Sequence, residues 1–251
     1  MLTRYQLEMF LNHLFPGLAI SDPSVNGLQV EGKEHVKTVA TAVTASLETI
    51  EAAANRNVDA LIVHHGLFWQ KDAYSIVGSK KKKIALLLEK EISLFAYHLP
   101  LDLHKEIGNN WKAAMDLGLY DLSPFGVIDK VGIGVKGKIK SISKENLMQQ
   151  LESYYEHSAV CAWGGPDQIE TIAIVSGGAY KMINEAATEK IDAFITGSFD
   201  EPVWHLAKEE SINFYALGHS ATERIGPKAL AKHLQENLNL SCSFIDIPNP
   251  F

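Results

Sequence analysis

Two stretches of this chain read nearly alike and stand 133 residues apart. Val58-Asp59-Ala60-Leu61-Ile62 aligns with Ile191-Asp192-Ala193-Phe194-Ile195 at an offset of 133 (192 − 59), and Thr38-Val39-Ala40 aligns with Thr171-Ile172-Ala173 at the same offset. A third pair, Ile92-Ser93-Leu94-Phe95-Ala96 and Ile212-Asn213-Phe214-Tyr215-Ala216, follows in order at 120 (212 − 92), as if a loop had lost 13 residues. Blocks that recur in order constrain a fold strongly, because each copy must satisfy the same pattern of strands and helices.

Within the first copy, Thr38 to Val43 reads as a strand, Leu47 to Arg56 as a helix and Ala60 to Val63 as the next strand. That is a βαβ unit, which implies parallel pairing and a right-handed crossover. Ser79 is placed to cap a helix from Lys80 to Lys90, and Leu94 to Tyr97 reads as a further strand. Near the start, Thr3-Arg4-Tyr5-Gln6 has the form of a capping box. Leu7, Phe10, Leu11 and Leu14 then recur at helical spacing, until Pro16-Gly17 stops the helix. Ser21 to Gln29 is a turn-rich segment that leads into an extended piece. The expected architecture is α/β: two similar halves related by duplication, residues 1–125 and 126–251, with mostly parallel or mixed sheets flanked by helices and a metal site between them.

Hydrophobic residues make up 46% of the chain and charged ones 21%, as in ordinary soluble globular proteins. No apolar run approaches the ~20 residues of a membrane span. The N-terminal residues lack the basic-then-apolar pattern of a secretory signal, which predicts a cytoplasmic protein. Cys161 and Cys242 have neither metal-ligand spacing nor a disulfide framework around them. A net charge of −7 argues against broad nucleic-acid affinity and leaves only a local basic patch to provide it. Lys80 to Lys83 reads as the solvated first turn of a helix. Gly132-Ile133-Gly134-Val135-Lys136-Gly137 matches the dinucleotide fingerprint in letters, but Lys138 to Ile142 continues as a strand instead of opening a helix. The glycines there fit a bend or close strand packing.

The chemistry gathers past strand ends. Ala60 to Val63 runs into His64-His65-Gly66. Adjacent strand residues face opposite ways, so two histidines serving one site need the backbone to turn, and Gly66 supplies that freedom. Alone, the pair reads more simply as one buried, hydrogen-bonded histidine and one solvated one. The strand Leu94 to Tyr97 runs into His98-Leu99-Pro100-Leu101-Asp102-Leu103-His104, and the corresponding loop of the second half is Gly218-His219-Ser220-Ala221-Thr222-Glu223. At the offset of 133, His64 and His65 correspond to Gly197 and Ser198, so the halves contribute unequally to a site. Singly, Asp102 and Glu223 would be capping or surface acids and His219 a core residue. Together, His64, His65, Asp102, His219 and Glu223 form an imidazole-and-carboxylate set suited to Zn, Mn, Fe or Ni rather than calcium. Five ligands exceed one tetrahedral site, which points to two divalent metal ions. His98 and His104 flank Asp102 as candidates for orienting ligands or for acid–base work. His13, His35, His157, His205 and His233 have no such partners nearby in sequence.

At these residues the chain resembles the NGG-interacting-factor-three-like family, whose members include GTP cyclohydrolase I type 2 homologues. The resemblance covers nearly the whole chain. It is carried by Asn26-Gly27-Leu28-Gln29, Ile62-Val63-His64-His65-Gly66-Leu67-Phe68-Trp69, His98-Leu99-Pro100-Leu101-Asp102 and Leu217-Gly218-His219-Ser220-Ala221-Thr222-Glu223. It implies a dinuclear metal site on His64, His65, Asp102, His219 and Glu223, duplicated α/β domains and a ring-shaped homohexamer. It also implies hydrolysis of a small-molecule substrate, a nucleotide such as GTP, with opening of the imidazole ring and release of formate; His98 would shuttle protons. Thr44 departs from the family, many members of which carry Asp there, and the extra central domain of longer members has no room in this chain. Two other classes of function remain: a non-catalytic metal-dependent binding or regulatory protein, and action on nucleic acid through a ring's interior.

Overall fold

The computed structural model describes residues 2–17 and 21–251. In chain order its strands are β1 Leu2–Thr3, β2 Gly27–Val30, β3 His35–Val36, β4 Thr38–Thr44, β5 Ala60–His65, β6 Ser93–Ala96 and β7 Tyr120–Ile128. They continue with β8 Val131–Ser143, β9 Val160–Ala162, β10 Gln168–Ile174, β11 Ala193–Thr196, β12 Asn213–Ala216 and β13 Ser241–Phe244. The chain forms two compact units, one of Met1–Ile107 with Gly226–Pro248, the other of Gly108–Ile225 with Asn249–Phe251. This differs from a division at 125/126, which would cut through β7. The reason is packing: β13 pairs in parallel with β4, and Leu230 and Leu234 are buried in the core of the first unit. Among the described residues, no helix is long and apolar enough to cross a membrane.

The first unit is built on a five-stranded sheet in the order β13-β4-β5-β6-β2, parallel except for the antiparallel edge strand β2. Strand side chains alternate between faces, and the core divides accordingly. Ala40, Ala42, Leu61, Val63, Leu94 and Ala96 share one cluster with Ile50, Ala53 and Leu87 of the helices Leu47–Asn55 and Gly78–Glu89. Val39, Ala60, Ile62 and Phe95 share the other with Leu7 and Leu11 of the helix Arg4–Leu14. Both faces are covered, as a parallel sheet requires. Burying each of these leucines contributes about 2 kcal/mol. The capping box holds: Thr3 Oγ1 accepts from Gln6 N–H at 3.1 Å, and Gln6 Oε1 accepts from Thr3 N–H at 2.9 Å. Ser79, by contrast, caps nothing. The helix begins at Gly78, whose φ of 57° makes the entry, and Val77 occupies the cap position without a side-chain bond.

The second unit carries a six-stranded sheet in the order β7-β8-β10-β11-β12-β9, with β10, β11 and β12 parallel and the outer strands antiparallel. Ile172, Ile174, Ala193, Ile195 and Tyr215 pack on Leu147, Leu151 and Tyr155 of the helix Lys144–Tyr155. On the opposite face, Phe194 lies 6.0 Å from both Phe125 and Phe214, ring centre to ring centre. Gly132, Gly134 and Gly137 all lie within β8, so the fingerprint letters form no phosphate loop. A Cβ at Gly134 would stand 2.5 Å from the Ile174 carbonyl oxygen, so close strand packing explains the glycine.

One hydrogen-bond device occurs in each unit. Asp59 Oδ2 accepts from the N–H groups of Lys37 at 2.6 Å and Thr38 at 2.9 Å, tying the start of β4 to β5. Asp192 Oδ2 accepts from Glu170 and Thr171 N–H, both at 2.9 Å, the residues that stand 133 positions further on. Burial pushes the Asp59 carboxyl up, but hydrogen bonds from Lys33, Lys37 and Thr38 outweigh it and hold the group below its ordinary value of 3.8. A depressed folded-state value means that this stabilisation is present above pH 3.8 and is lost as pH falls through the lower folded value. Asp59→Ala is expected to destabilise the protein by about 2 kcal/mol at neutral pH. In denaturant unfolding, the gap between variant and wild type should shrink as pH falls below the ordinary carboxylate value; a gap independent of pH would contradict the clamp.

Candidate metal centre

Three imidazoles of the first unit converge at the carboxyl ends of β5 and β6, the edge where ligands of open α/β sheets are bound. β5 continues through His65, two residues further than the apolar pattern Ala60 to Val63, so the histidine pair still belongs to the strand. The rings of His64 and His65 nevertheless lie 4.6 Å apart. They meet without the turn expected between them, and Gly66 is not in the left-handed region. Its role is room: a Cβ at Gly66 would lie 2.3 Å from Oε1 of Gln29, the atom that accepts from Leu67 N–H at 2.7 Å. The His98 ring lies 4.9 Å from His64 and 5.7 Å from His65. One ring nitrogen from each of the three lies within 4.8 Å of the others.

Each ring is held through Nδ1. His64 is fully buried, and its Nδ1 donates to the Tyr97 carbonyl oxygen at 3.2 Å. A carbonyl only accepts, so the lone pair of His64 is on Nε2. His65 Nδ1 bonds the Thr44 hydroxyl at 3.0 Å, and His98 Nδ1 bonds Asp22 Oδ1 at 2.7 Å. Asp102, in the short helix Leu99–Leu103, is buried with Oδ2 3.6 Å from His64 Nε2. Two donors on one tetrahedral cation, with bonds of about 2.0–2.1 Å, stand about 3.4 Å apart. Three imidazoles beside a carboxylate at such spacing suit a borderline divalent cation.

The second unit places its donors past β12. Gly218, with φ of 86°, leads into the turn His219–Thr222, and His219 Nε2 lies 3.3 Å from Oε1 of the buried Glu223. Gly177 lies against this pair. Its φ is 67°, and a Cβ on it would come within 2.2 Å of Glu223 Oε1 and 3.3 Å of His219 Nε2. Its N–H donates to Thr222 Oγ1 at 3.0 Å, which pins the turn that carries the acid.

His64, His65, His98 and Asp102 therefore come together within the first unit, and His219 with Glu223 within the second. His104 does not join them. Its Nδ1 accepts from Glu106 N–H at 3.2 Å and Ile107 N–H at 3.3 Å, its ring meets Phe15 edge-on, and burial pushes it below the usual imidazole range. Sequence reasoning gave Asp22 no role beyond its turn, and Asn26 and Gln29 none beyond carrying the resemblance. The pairing of that turn with the segment after the histidines, through Ser24 and Trp69, is long-range and leaves no periodic trace. Gly177 was missed as well, although at the offset of 133 it corresponds to Thr44, the last residue of β4.

Fold and donors first define a class: an α/β protein that places imidazoles and carboxylates at the carboxyl ends of parallel strands. The profile of the Duf34/NIF3 (NGG1p interacting factor 3) family matches residues 2–250, and the chain belongs to that family. It is 46% identical over 243 residues to the GTP cyclohydrolase 1 type 2 homolog of Chlamydia pneumoniae, covering 96% of each chain. The GTP cyclohydrolase 1 type 2 homolog of Escherichia coli strain K12 is 40% identical over 249 residues, with 98% of each covered. The crystal structure of TTHA1606 from Thermus thermophilus superposes with a TM-score of 0.91 at 36% identity over 100% of both chains.

Gly177→Ala combines a strained φ with a clash at the acid. It is expected to cost about 1–3 kcal/mol, read as a fall of several degrees in melting temperature. An unchanged melting temperature would show that the backbone at this turn relaxes freely.

Proposed function

We propose that the protein is a metal-dependent hydrolase with a dinuclear centre, acting on a nucleotide in the manner of a GTP cyclohydrolase. The observation that carries this reading is the trio His64, His65 and His98, each held at Nδ1 with donor nitrogens within 4.8 Å of one another. His64, His65, Asp102, His219 and Glu223 would hold two divalent cations drawn from zinc, iron, manganese or nickel. Cations bound there would supply Lewis acidity and would activate water at neutral pH. His98 presents Nε2 to the same space, because Nδ1 is committed to Asp22. The names of the relatives support a purine nucleotide as substrate, with formate leaving when its imidazole ring opens. The same family supports a cytoplasmic homohexamer, which light scattering would test: a monomer mass in solution would overturn it.

Purified protein is expected to carry up to about two metal ions per chain, measured by elemental analysis. His65→Ala and Glu223→Ala should lower that content while keeping the circular dichroism of the wild type. Full retention of metal in both variants would sink the centre. After reconstitution, formate release from GTP should be measurable and should disappear in Glu223→Ala. Metal binding with no turnover of any nucleotide would favour a regulatory or binding protein instead.

A further inference from the structure

Asp22 is a buried acid that accepts four hydrogen bonds. Oδ1 accepts from His98 Nδ1–H at 2.7 Å and Ser24 N–H at 2.9 Å. Oδ2 accepts from Asn26 Nδ2–H at 2.8 Å and Leu99 N–H at 3.0 Å. Asn26 in turn accepts at Oδ1 from His98 N–H at 2.8 Å, so the backbone and the ring of His98 are gripped from one loop. The loop is itself anchored: Gln70 donates to the Asp22 and Pro23 carbonyl oxygens, from Nε2 at 2.7 Å and from its N–H at 2.8 Å. Every lone-pair direction of the carboxylate faces a donor, an arrangement that fits the ionised form alone. Such an acceptor requires hydrogen on His98 Nδ1 and leaves the lone pair on Nε2.

We propose that Asp22 is a positioning residue for His98: it fixes the Nδ1–H tautomer and ring orientation, so that Nε2 joins His64 and His65 as a third imidazole donor to a divalent cation in the first unit. The proposal rests on the metal-centre reading and adds a ligand and its support. A carboxylate behind a ligating imidazole raises the basicity of the ligand and locks its geometry, and loss of such a partner typically weakens metal affinity about 10–100-fold. The three rings then differ in what stands behind them, a carbonyl for His64, a hydroxyl for His65 and a carboxylate for His98.

The test uses the metal-free full chain, titrated with Co2+ against a competing chelator, in wild type, Asp22→Asn, His98→Ala and the double variant. Asp22→Asn is expected to weaken Co2+ binding about 10–100-fold, and His98→Ala at least as much. The double variant should be no weaker than His98→Ala alone, the non-additivity of residues that act through one another. If Asp22→Asn weakens binding equally in the His98→Ala background, Asp22 does not act through the ring and the proposal fails. Nitrogen-15 imidazole spectra of metal-free wild type supply a second readout that needs no variant to fold. They should show His98 protonated at Nδ1, and protonation at Nε2 would overturn the proposal. A wild-type chain that binds no cation while keeping the Nδ1–H tautomer would sink the metal-centre reading and the ligand role, and leave Asp22 as an orienting residue only.

Discussion

An imidazole can offer one ring nitrogen to a ligand in a defined direction only if something holds the other. That constraint organises the first unit around its strand ends. Tyr97 lies one residue beyond β6, and its carbonyl oxygen takes the proton of His64. Thr44 ends β4 and bonds His65. Asp22 arrives on the loop before β2 and bonds His98. Four neighbouring strands thus each bring a histidine or a group that holds one. The loop from Asp22 to Gln29 and the segment from Gly66 to Gln70 bond to each other because both are needed at the same spot.

The second unit uses the same means for a different result. Asp192 ties β11 to the start of β10 as Asp59 ties β5 to the start of β4, through bonds to residues at the same offset. Gly32 N–H donates to Ser93 Oγ at 3.1 Å and Gly165 N–H to Asn213 Oδ1 at 3.2 Å, again in matching places. These paired bonds support the proposal of a duplication. Past the strand ends the likeness stops. Where the first unit has a histidine pair, the second has Gly197-Ser198, and a Cβ at Gly197 would meet Thr222 Oγ1 at 2.6 Å. Small residues there make room for the turn that carries His219 and Glu223.

Much of this was legible in the chain itself. The offset of 133, the apolar strands, the capping box and the rejection of the glycine fingerprint follow from period, spacing and local hydrogen bonding. So does the choice of His64, His65, Asp102, His219 and Glu223 as metal-competent residues, because imidazole and carboxylate at strand ends announce themselves by type. The tertiary structure decided the rest. It carried residues 226–248 back to the first unit, because β13 finds its partner in β4. It drew His98 to the histidine pair and turned His104 to backbone donors, although both flank Asp102 in sequence. It made Asp22 an anchor through bonds to residues 76 and 77 positions away. Chemical identity and local period are written in order along a chain; which nitrogen faces a ligand depends on partners that only folding brings near.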